Sequence, residues 1–237
     1  MSRYSYDPEA YEKRYRKVYE IGAEFWEQLE PTETLAKFVS ETSMSKRSRV
    51  IEFGCGEGRD SVFLSRKGFR VLGVDTARSA LVNAKSRSKK ERAVAEFVVA
   101  DIRSLPTKDG VFDLAINVAC LHMITDQEGR DRHLRESKRI MKAGGKYLSC
   151  NLGVDKEISV EEFYKGRTEK PGTLTSRKIK VNRQEREVFL PIIAAWPKSR
   201  TQYVEEFENT GFEVAEIARA DVKPVGECWV LVARKNS

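Results

Sequence analysis

The sequence predicts an α/β fold built on a mostly parallel sheet, and three observations carry that expectation. From Arg49 onward, short apolar runs alternate with longer amphipathic stretches, the pattern of repeated strand–helix units. The first of these runs ends in a glycine-rich turn, Gly54-Cys55-Gly56-Glu57-Gly58, set between a buried strand and a helix. The chain has 237 residues, enough to bury a full core as one domain with elaborations. A parallel sheet is covered by helices on both faces, so three layers are expected.

Each element follows from local pattern. Residues 1–48 read as an N-terminal helical cap, with Glu9–Phe38 forming one or two helices broken at Pro31. Val50–Phe53 is a buried strand, and Asp60–Lys67 a helix with Val62, Phe63 and Leu64 inward and Gly68 as its stop. Phe69–Val74 is the second strand, ending at Asp75, and Ser79 opens a helix that runs to about Lys90. Glu96–Ala100 is the third strand, ending at Asp101, and Phe112–Val118 the fourth. A helix over Asp126–Met141 stops at Ala143-Gly144-Gly145, and Lys146–Asn151 is the fifth strand, which closes a core of residues 49–152. Beyond Leu152 the alternation breaks. Residues 153–198 mix charge with isolated aromatics, hold candidate strands at Leu174–Val181 and Glu187–Leu190, and read as an inserted lid too short for its own core. Alternation resumes over 199–237 with a helix at Arg200–Asn209, Gly211 as its stop, and strands at Phe212–Ala218 and Trp229–Ala233.

Composition narrows the class. Lys and Arg number 43 against 36 Asp and Glu, a net charge of +7 that invites a nucleic-acid reading. Residues 49–110 hold 13 basic against 8 acidic side chains, so the excess sits inside the core and not in a tail. The longest uncharged stretches, Leu114–Thr125 and Phe189–Pro197, fall short of the roughly 20 apolar residues a bilayer requires. The first residues lack an apolar signal region, and no membrane association is expected. Cys55, Cys120, Cys150 and Cys228 are scattered without a C-x-x-C pair, which predicts reduced thiols in a cytoplasmic protein. With His122 and His133 as its two histidines, the chain offers no His-rich metal site.

The chemistry begins at the glycine turn. Such a turn lets a ligand approach the backbone, and the helix that follows offers free N–H groups to an anionic part of it. Asp75 closes the next strand, where a carboxylate accepts both hydrogens of a ribose diol. A dinucleotide and S-adenosylmethionine both suit that geometry. The dinucleotide fingerprint spaces its glycines two and then three apart, whereas here the spacing is two and two, with Arg59 next. Asp101 and Ile102 suit an adenine, one meeting its amino group and the other its flat face.

Taken as a set, Glu52-x-Gly54-x-Gly56-x-Gly58, Asp75, Asp101-Ile102, Phe112-Asp113-Leu114-Ala115-Ile116-Asn117 and Lys142-Ala143-Gly144-Gly145 resemble the class I S-adenosylmethionine-dependent methyltransferases. The likeness covers about residues 49–152, and the terminal strand pair extends it to 237. Ala143 departs from the family, which often has Pro before the glycine pair, and the departure touches a turn only. The resemblance implies a Rossmann-like, seven-stranded sheet in the order 3-2-1-4-5-7-6, with the last-added strand antiparallel. It implies S-adenosyl-L-methionine as cofactor and S-adenosyl-L-homocysteine as product. Gly54, Gly56 and Gly58, with Cys55 among them, would flank the methionine part, and Asp75 with Thr76 the ribose. Asp101 and Ile102 would hold adenine, and the backbone of Asn117 would approach the methionine amino group.

Methyl transfer from a sulfonium is an in-line displacement with a good leaving group, so placement and desolvation supply most of the rate. A base is needed only for an acceptor that arrives protonated. His122, in the loop after the fourth strand, is the candidate catalytic residue, with simple packing in that loop as the competing explanation. His133, among Arg130, Asp131, Arg132, Arg135 and Glu136, reads as solvated. Tyr11, Tyr15, Tyr19 and Trp26 fall near one helical face. Packing of a cap helix explains that stripe; the functional alternative makes Tyr11, Tyr15 and Trp26 substrate contacts, where a cation gains from a π face. Trp196, in the insert with Phe163, Tyr164 and Phe189, is a fourth candidate substrate contact.

The expected activity is methyl transfer to a small-molecule acceptor. An RNA methyltransferase is the first alternative, motivated by the charge. Asn117-Val118-Ala119-Cys120 is not the Asn/Asp-Pro-Pro-aromatic motif of enzymes acting on exocyclic base amines, and no Pro-Cys pair offers a cytosine-5 nucleophile. Methylation at ribose or N7 stays open. The second alternative is a non-catalytic S-adenosylmethionine-binding protein.

Overall fold

The computed structural model describes residues 4, 6–23, 30–181, 184–223 and 225–236. Its strands in chain order are β1 (Arg49–Phe53), β2 (Arg70–Asp75), β3 (Glu96–Val99), β4 (Phe112–Val118), β5 (Met141–Leu152), β6 (Leu174–Val181), β7 (Gln184–Pro191), β8 (Phe212–Val222) and β9 (Gly226–Lys235). Seven of them form one sheet in the order β3-β2-β1-β4-β5-β9-β8, and β6 and β7 form a separate hairpin. β9 pairs antiparallel with both β5 and β8, so it alone runs against the others. This is the expected topology, with the hairpin taking two numbers before the terminal pair. The helices are α1 (Pro8–Glu20), α2 (Glu33–Glu41), α3 (Arg59–Arg66), α4 (Arg78–Lys90), α5 (Gln127–Ile140), α6 (Val160–Tyr164) and α7 (Arg200–Asn209), with a short 3-10 turn at Leu121–Met123.

The central strands are buried on both faces, and their neighbours in sequence therefore enter opposite cores. Ile51, Phe53, Ala115, Tyr147 and Leu231 pack with Leu134 of α5 and Phe207 of α7. Val50, Leu114, Ile116, Leu148 and Cys150 pack with Leu35 of α2 and Leu64 of α3. Each fully buried aliphatic side chain of this kind contributes about 1.5–3 kcal/mol. Three layers result. Phe63, expected inward with Val62 and Leu64, is only half-buried, because α3 turns it toward its outer side.

α5 corrects a second expectation. His133 is fully buried and not solvated. Arg130, His133, Leu134 and Ser137 recur at helical spacing on the inner face, while Arg132 and Arg135 point outward. The His133 Nδ1–H donates to the Ile102 carbonyl at 3.2 Å, and Nε2 accepts from the Tyr147 hydroxyl at 2.8 Å. Burial pushes its pKa down to about 4.

The first 48 residues divide between two tasks. Asp7 caps α1 by accepting the Glu9 N–H, and Pro8 opens the helix. α1 lies between α4 and the hairpin: Tyr15 packs on Ala77 and Ala80, and Val18 on Ile179, Val188 and Leu190. α2 instead belongs to the sheet layer through Leu35. The insert of 153–198 leaves and rejoins the core at one place, since the Val154 N–H donates to the Lys198 carbonyl at 3.1 Å. Among the described residues no helix is long and apolar enough to cross a membrane.

Candidate functional site

After Phe53 the chain turns through Gly54, Gly56 and Gly58 at φ of +67°, +51° and +74°. L side chains rarely adopt such backbone. At Gly54 the space is closed as well, because a Cβ there would lie 2.6 Å from the Cys120 Sγ. The N–H groups of Gly54 and Cys55 both donate to the Val74 carbonyl, at 2.8 and 3.0 Å, which fixes the turn to the end of β2. Asp75 then reaches back: Oδ2 accepts the Gly56 N–H and Oδ1 the Ala77 N–H, each at 2.8 Å. Burial raises this carboxyl above its ordinary range, against the pull of those two N–H donors.

Gly54, Cys55, Gly56, Asp75, Thr76 and Ile102 line one cavity of about 290 Å³, together with Tyr11 and Tyr15 of α1 and His122 of the 3-10 turn. Gly58 sits behind that wall and starts α3, where a Cβ would lie 2.9 Å from the Phe97 ring. Asp101 is not on the wall, since its carboxylate is paired with Arg103, Nη2 to Oδ2 at 2.7 Å. Asn117 is buried, and its Oδ1 accepts the N–H groups of Cys120 and Leu121 at 3.2 and 3.1 Å. Val118, Ala119 and Cys120 stand at the wall in its place, with Ala119 at a left-handed φ of +58°. Such strain in a non-glycine residue gathers at ligand sites. Trp196 packs away from the cavity: its indole N–H donates to the Ile158 carbonyl at 2.9 Å, and the Lys198 ammonium lies 4.0 Å over its ring. Trp26 lies outside the described residues.

His122 is buried and its orientation is fixed. The Asn151 Nδ2 donates to the Ser149 Oγ at 2.8 Å, which turns Oδ1 toward His122. That oxygen meets the His122 N–H at 3.2 Å and Nδ1 at 3.1 Å. The Leu152 N–H also points at Nδ1, at 3.3 Å, so Asn151 favours a proton on Nδ1 and Leu152 a proton on Nε2; in the tautomer that pairs with Asn151 the ring keeps a lone pair on Nε2. Burial pushes its pKa down to about 4, a hydrogen bond to the Asn151 Oδ1 opposing and the charge of Arg130 adding. Burial likewise pushes the Cys55 and Cys120 thiols up, so both stay protonated. Among the described residues no cluster of His, Cys, Asp and Glu could hold a metal ion.

Several wall and support residues were not foreseen. Tyr6 lines the cavity, its hydroxyl pairs with Thr76, and the Arg103 guanidinium lies 4.9 Å over its ring. Arg14 and Arg177 line it too. Arg14 falls three residues after Tyr11, on the same helical face, and periodicity alone could have found it. Arg177 could not be found that way. Below the 3-10 turn, the fully buried Arg130 donates to Glu206 at 2.7 and 2.8 Å and to the carbonyls of Leu121 and Ile124 at 2.9 and 3.3 Å. Lys198 also pairs with Glu206. Burial alone would raise the Glu206 carboxyl, but Arg130 and Lys198 hold it below its ordinary range.

Comparison with known proteins agrees with this geometry. Residues 50–145 match the family described as a methyltransferase domain. The chain is 32% identical over 109 residues to malonyl-[acyl-carrier protein] O-methyltransferase of Hamiltonella defensa, covering 46% of this chain and 40% of that one. It is 31% identical over 116 residues to tRNA (carboxymethyluridine(34)-5-O)-methyltransferase alkbh8 of Xenopus tropicalis, covering 48% of this chain and 17% of that one. The chain thus spans less than half the length of these relatives. The Burkholderia thailandensis 1,6-didemethyltoxoflavin-N1-methyltransferase, solved with 1,6-didemethyltoxoflavin and S-adenosylhomocysteine, superposes with a TM-score of 0.60 at 17% identity, covering 86% of this chain and 76% of that one. Strand order, glycine turn and sequence match coincide over the same segment, so that residues 50–145 match a methyltransferase domain within a Rossmann-like fold.

Proposed function

We propose that this chain transfers a methyl group from S-adenosyl-L-methionine to a small-molecule acceptor, releasing S-adenosyl-L-homocysteine. The observation that carries the reading is that one cavity collects the glycine turn, the backbone-anchored Asp75 and an aromatic wall from α1. The residues fit the cofactor. Asp75 is aimed by two N–H donors and keeps lone pairs for a ribose diol, Thr76 adjoins it, and Ile102 offers an apolar face for a base. Asp101, paired with Arg103, would reach adenine only by sharing its carboxylate. The bound cofactor supplies an activated methyl group on a sulfonium. The protein's part is placement and exclusion of water. Tyr11 and Tyr15 wall the cavity, and His122 Nε2 can take a proton from a hydroxyl or thiol acceptor. A pKa near 4 keeps that imidazole neutral and ready to accept, though as a weak base.

The insert, whose hairpin packs on α1, acts as a lid on this reading. Closure by α1 and the hairpin favours a small acceptor over a nucleic acid strand, and the four free thiols suit the cytoplasm. The test is a methyl-donor assay against fractionated small metabolites and against RNA, scored by S-adenosylhomocysteine release. Turnover confined to a metabolite fraction supports the proposal. Turnover on RNA alone, with binding that falls steeply with salt, moves the acceptor to nucleic acid, and cofactor binding without any turnover makes the chain a non-catalytic binder.

A further inference from the structure

Beside the cavity β5 runs on past the end of β4. The register between them stops at Val118 and Cys150, and the Ala119 N–H makes one more bond, to the Cys150 carbonyl at 2.8 Å. Backbone groups alternate sides along a strand, so the Leu152 N–H points the same way with no strand left to meet it. The His122 ring stands there instead. Its Nδ1 is faced by two groups of opposite kind, the Leu152 N–H at 3.3 Å and the Asn151 Oδ1 at 3.1 Å. A neutral imidazole carries its proton on one nitrogen only. It donates from Nδ1 to Asn151 or accepts there from Leu152, and the choice decides what Nε2 offers the cavity.

The surroundings favour Asn151. Its amide is not open to a flip, because the His122 backbone N–H, at 3.2 Å, requires the oxygen on that side. Ser149, two residues back on the same face of β5, takes the Nδ2 at 2.8 Å. Asn151 and His122 are 1% and 3% exposed, so two lone pairs facing each other between them would have no water to part them. Leu152 is half-buried on the cavity wall, where water can take its N–H. The turn that carries the ring is held as well, the Trp196 N–H donating to the His122 carbonyl at 2.6 Å and Arg130 to the Leu121 and Ile124 carbonyls. Nε2 has no hydrogen-bond partner among the described residues, and His122 lines the cavity.

We propose that Asn151 is a positioning residue that holds His122 in the Nδ1–H tautomer and so presents the Nε2 lone pair to the methyl acceptor. A hydroxyl or thiol acceptor gives its proton to Nε2 while its oxygen or sulfur bonds to the methyl carbon, and the electron pair of the broken C–S bond stays on the cofactor sulfur. The imidazolium so formed keeps its Nδ1–H on the Asn151 Oδ1. In the opposite tautomer Nε2 carries the proton and can only donate. The inference rests on the proposed function, which makes His122 the base.

The test is long-range 1H–15N NMR on the full chain labelled at histidine, which tells a protonated ring nitrogen from a bare one. The chain has 2 histidines, and a His122→Gln sample assigns their signals. His133, whose Nδ1–H donates to the Ile102 carbonyl, is the internal reference for the Nδ1–H form. Near neutral pH the wild-type His122 is expected in that same form. In Asn151→Leu the Leu152 N–H alone faces Nδ1, and the tautomer ratio is expected to swing toward Nε2–H by about tenfold. Asn151→Asp keeps an oxygen on Nδ1 and adds a charge, so the Nδ1–H form is expected to persist and the ring to titrate at higher pH. That nearly isosteric variant decides the matter where Asn151→Leu does not fold. An Nε2–H ring in the wild type overturns the proposal. So does a tautomer ratio unmoved in Asn151→Leu, or a titration unmoved in Asn151→Asp. Calorimetry of S-adenosylhomocysteine with the wild type keeps the two readings apart: failure to bind overturns the methyl-transfer reading, and the ring spectra still judge Asn151.

Discussion

Gly54, Asp75 and His122 show how differently single residues disclose their roles. A glycine spaced two from the next could be read directly, because the left-handed backbone and the 2.6 Å approach to Cys120 both exclude a side chain there. Asp75 was legible for a similar reason: its place at the end of β2 fixes which way it faces. His122 was legible as a candidate, but its support was not, since Asn151 comes from a different strand. Asp101 marks the limit, and Asn117, expected to act through its backbone, shows a side-chain role the motif did not announce. A local ion pair with Arg103 and a turn built on Asn117 take their side chains off the cavity wall, and neither is visible in a motif. Once an acceptor is known, His122→Ala is expected to lower turnover by about 10²-fold or more, with S-adenosylhomocysteine affinity retained in calorimetry. Full activity would remove His122 as the base.

Among elements, the strands of the core and both strands of the hairpin were readable to within a few residues, because burial on both faces and period-2 alternation leave a direct trace. Their roles were less readable. The division of the N-terminal segment into a cavity helix, α1, and a sheet-layer helix, α2, depends on what each apolar stripe meets. The burial of His133 was missed for the same reason, a charged local sequence outweighing the helical period. The joint between α5, α7 and the 3-10 turn is built from charges that look like surface residues in sequence: Arg130, Lys198 and Glu206. Removing one member of a buried pair leaves the other uncompensated. Arg130→Met is therefore expected to cost about 3 kcal/mol in urea unfolding, the low end of the usual range because Lys198 still compensates Glu206. A loss under about 1 kcal/mol would show that the network does not hold the turn.

For the whole molecule, His122, His133 and Glu52 dominate the pH dependence of stability near neutrality, with Asp75, raised by burial, acting in the same sense as Glu52 at lower pH. His122 and His133, near 4 in the fold and about 6.5 when unfolded, leave the unfolded chain with more protons over that window, so stability rises with pH there. Glu52 acts in the opposite sense. Burial, with the charge of Asp60 adding, pushes its carboxyl up to about 8, so the folded chain holds the extra proton from its unfolded value to about 8. The two histidines outweigh Glu52 below pH 6.5, and Glu52 acts alone above it. Stability measured in urea between pH 4 and 8 is expected to peak near 6.5, and a profile that rises or falls throughout would contradict this assignment.

The net charge of +7 loses its weight as a pointer to nucleic acid at this scale. Part of it lies in the cavity itself, in Arg14 and Arg177, which are far apart in sequence and brought together only by the packing of the hairpin on α1. The central claim is that the cavity binds S-adenosylmethionine through Asp75. Calorimetric titration of S-adenosylhomocysteine into the wild type and Asp75→Ala tests it most directly. The account predicts one site in the wild type and a loss of at least about tenfold in the variant, with the fold retained. Equal affinity in the two proteins, or no binding to the wild type, would contradict it.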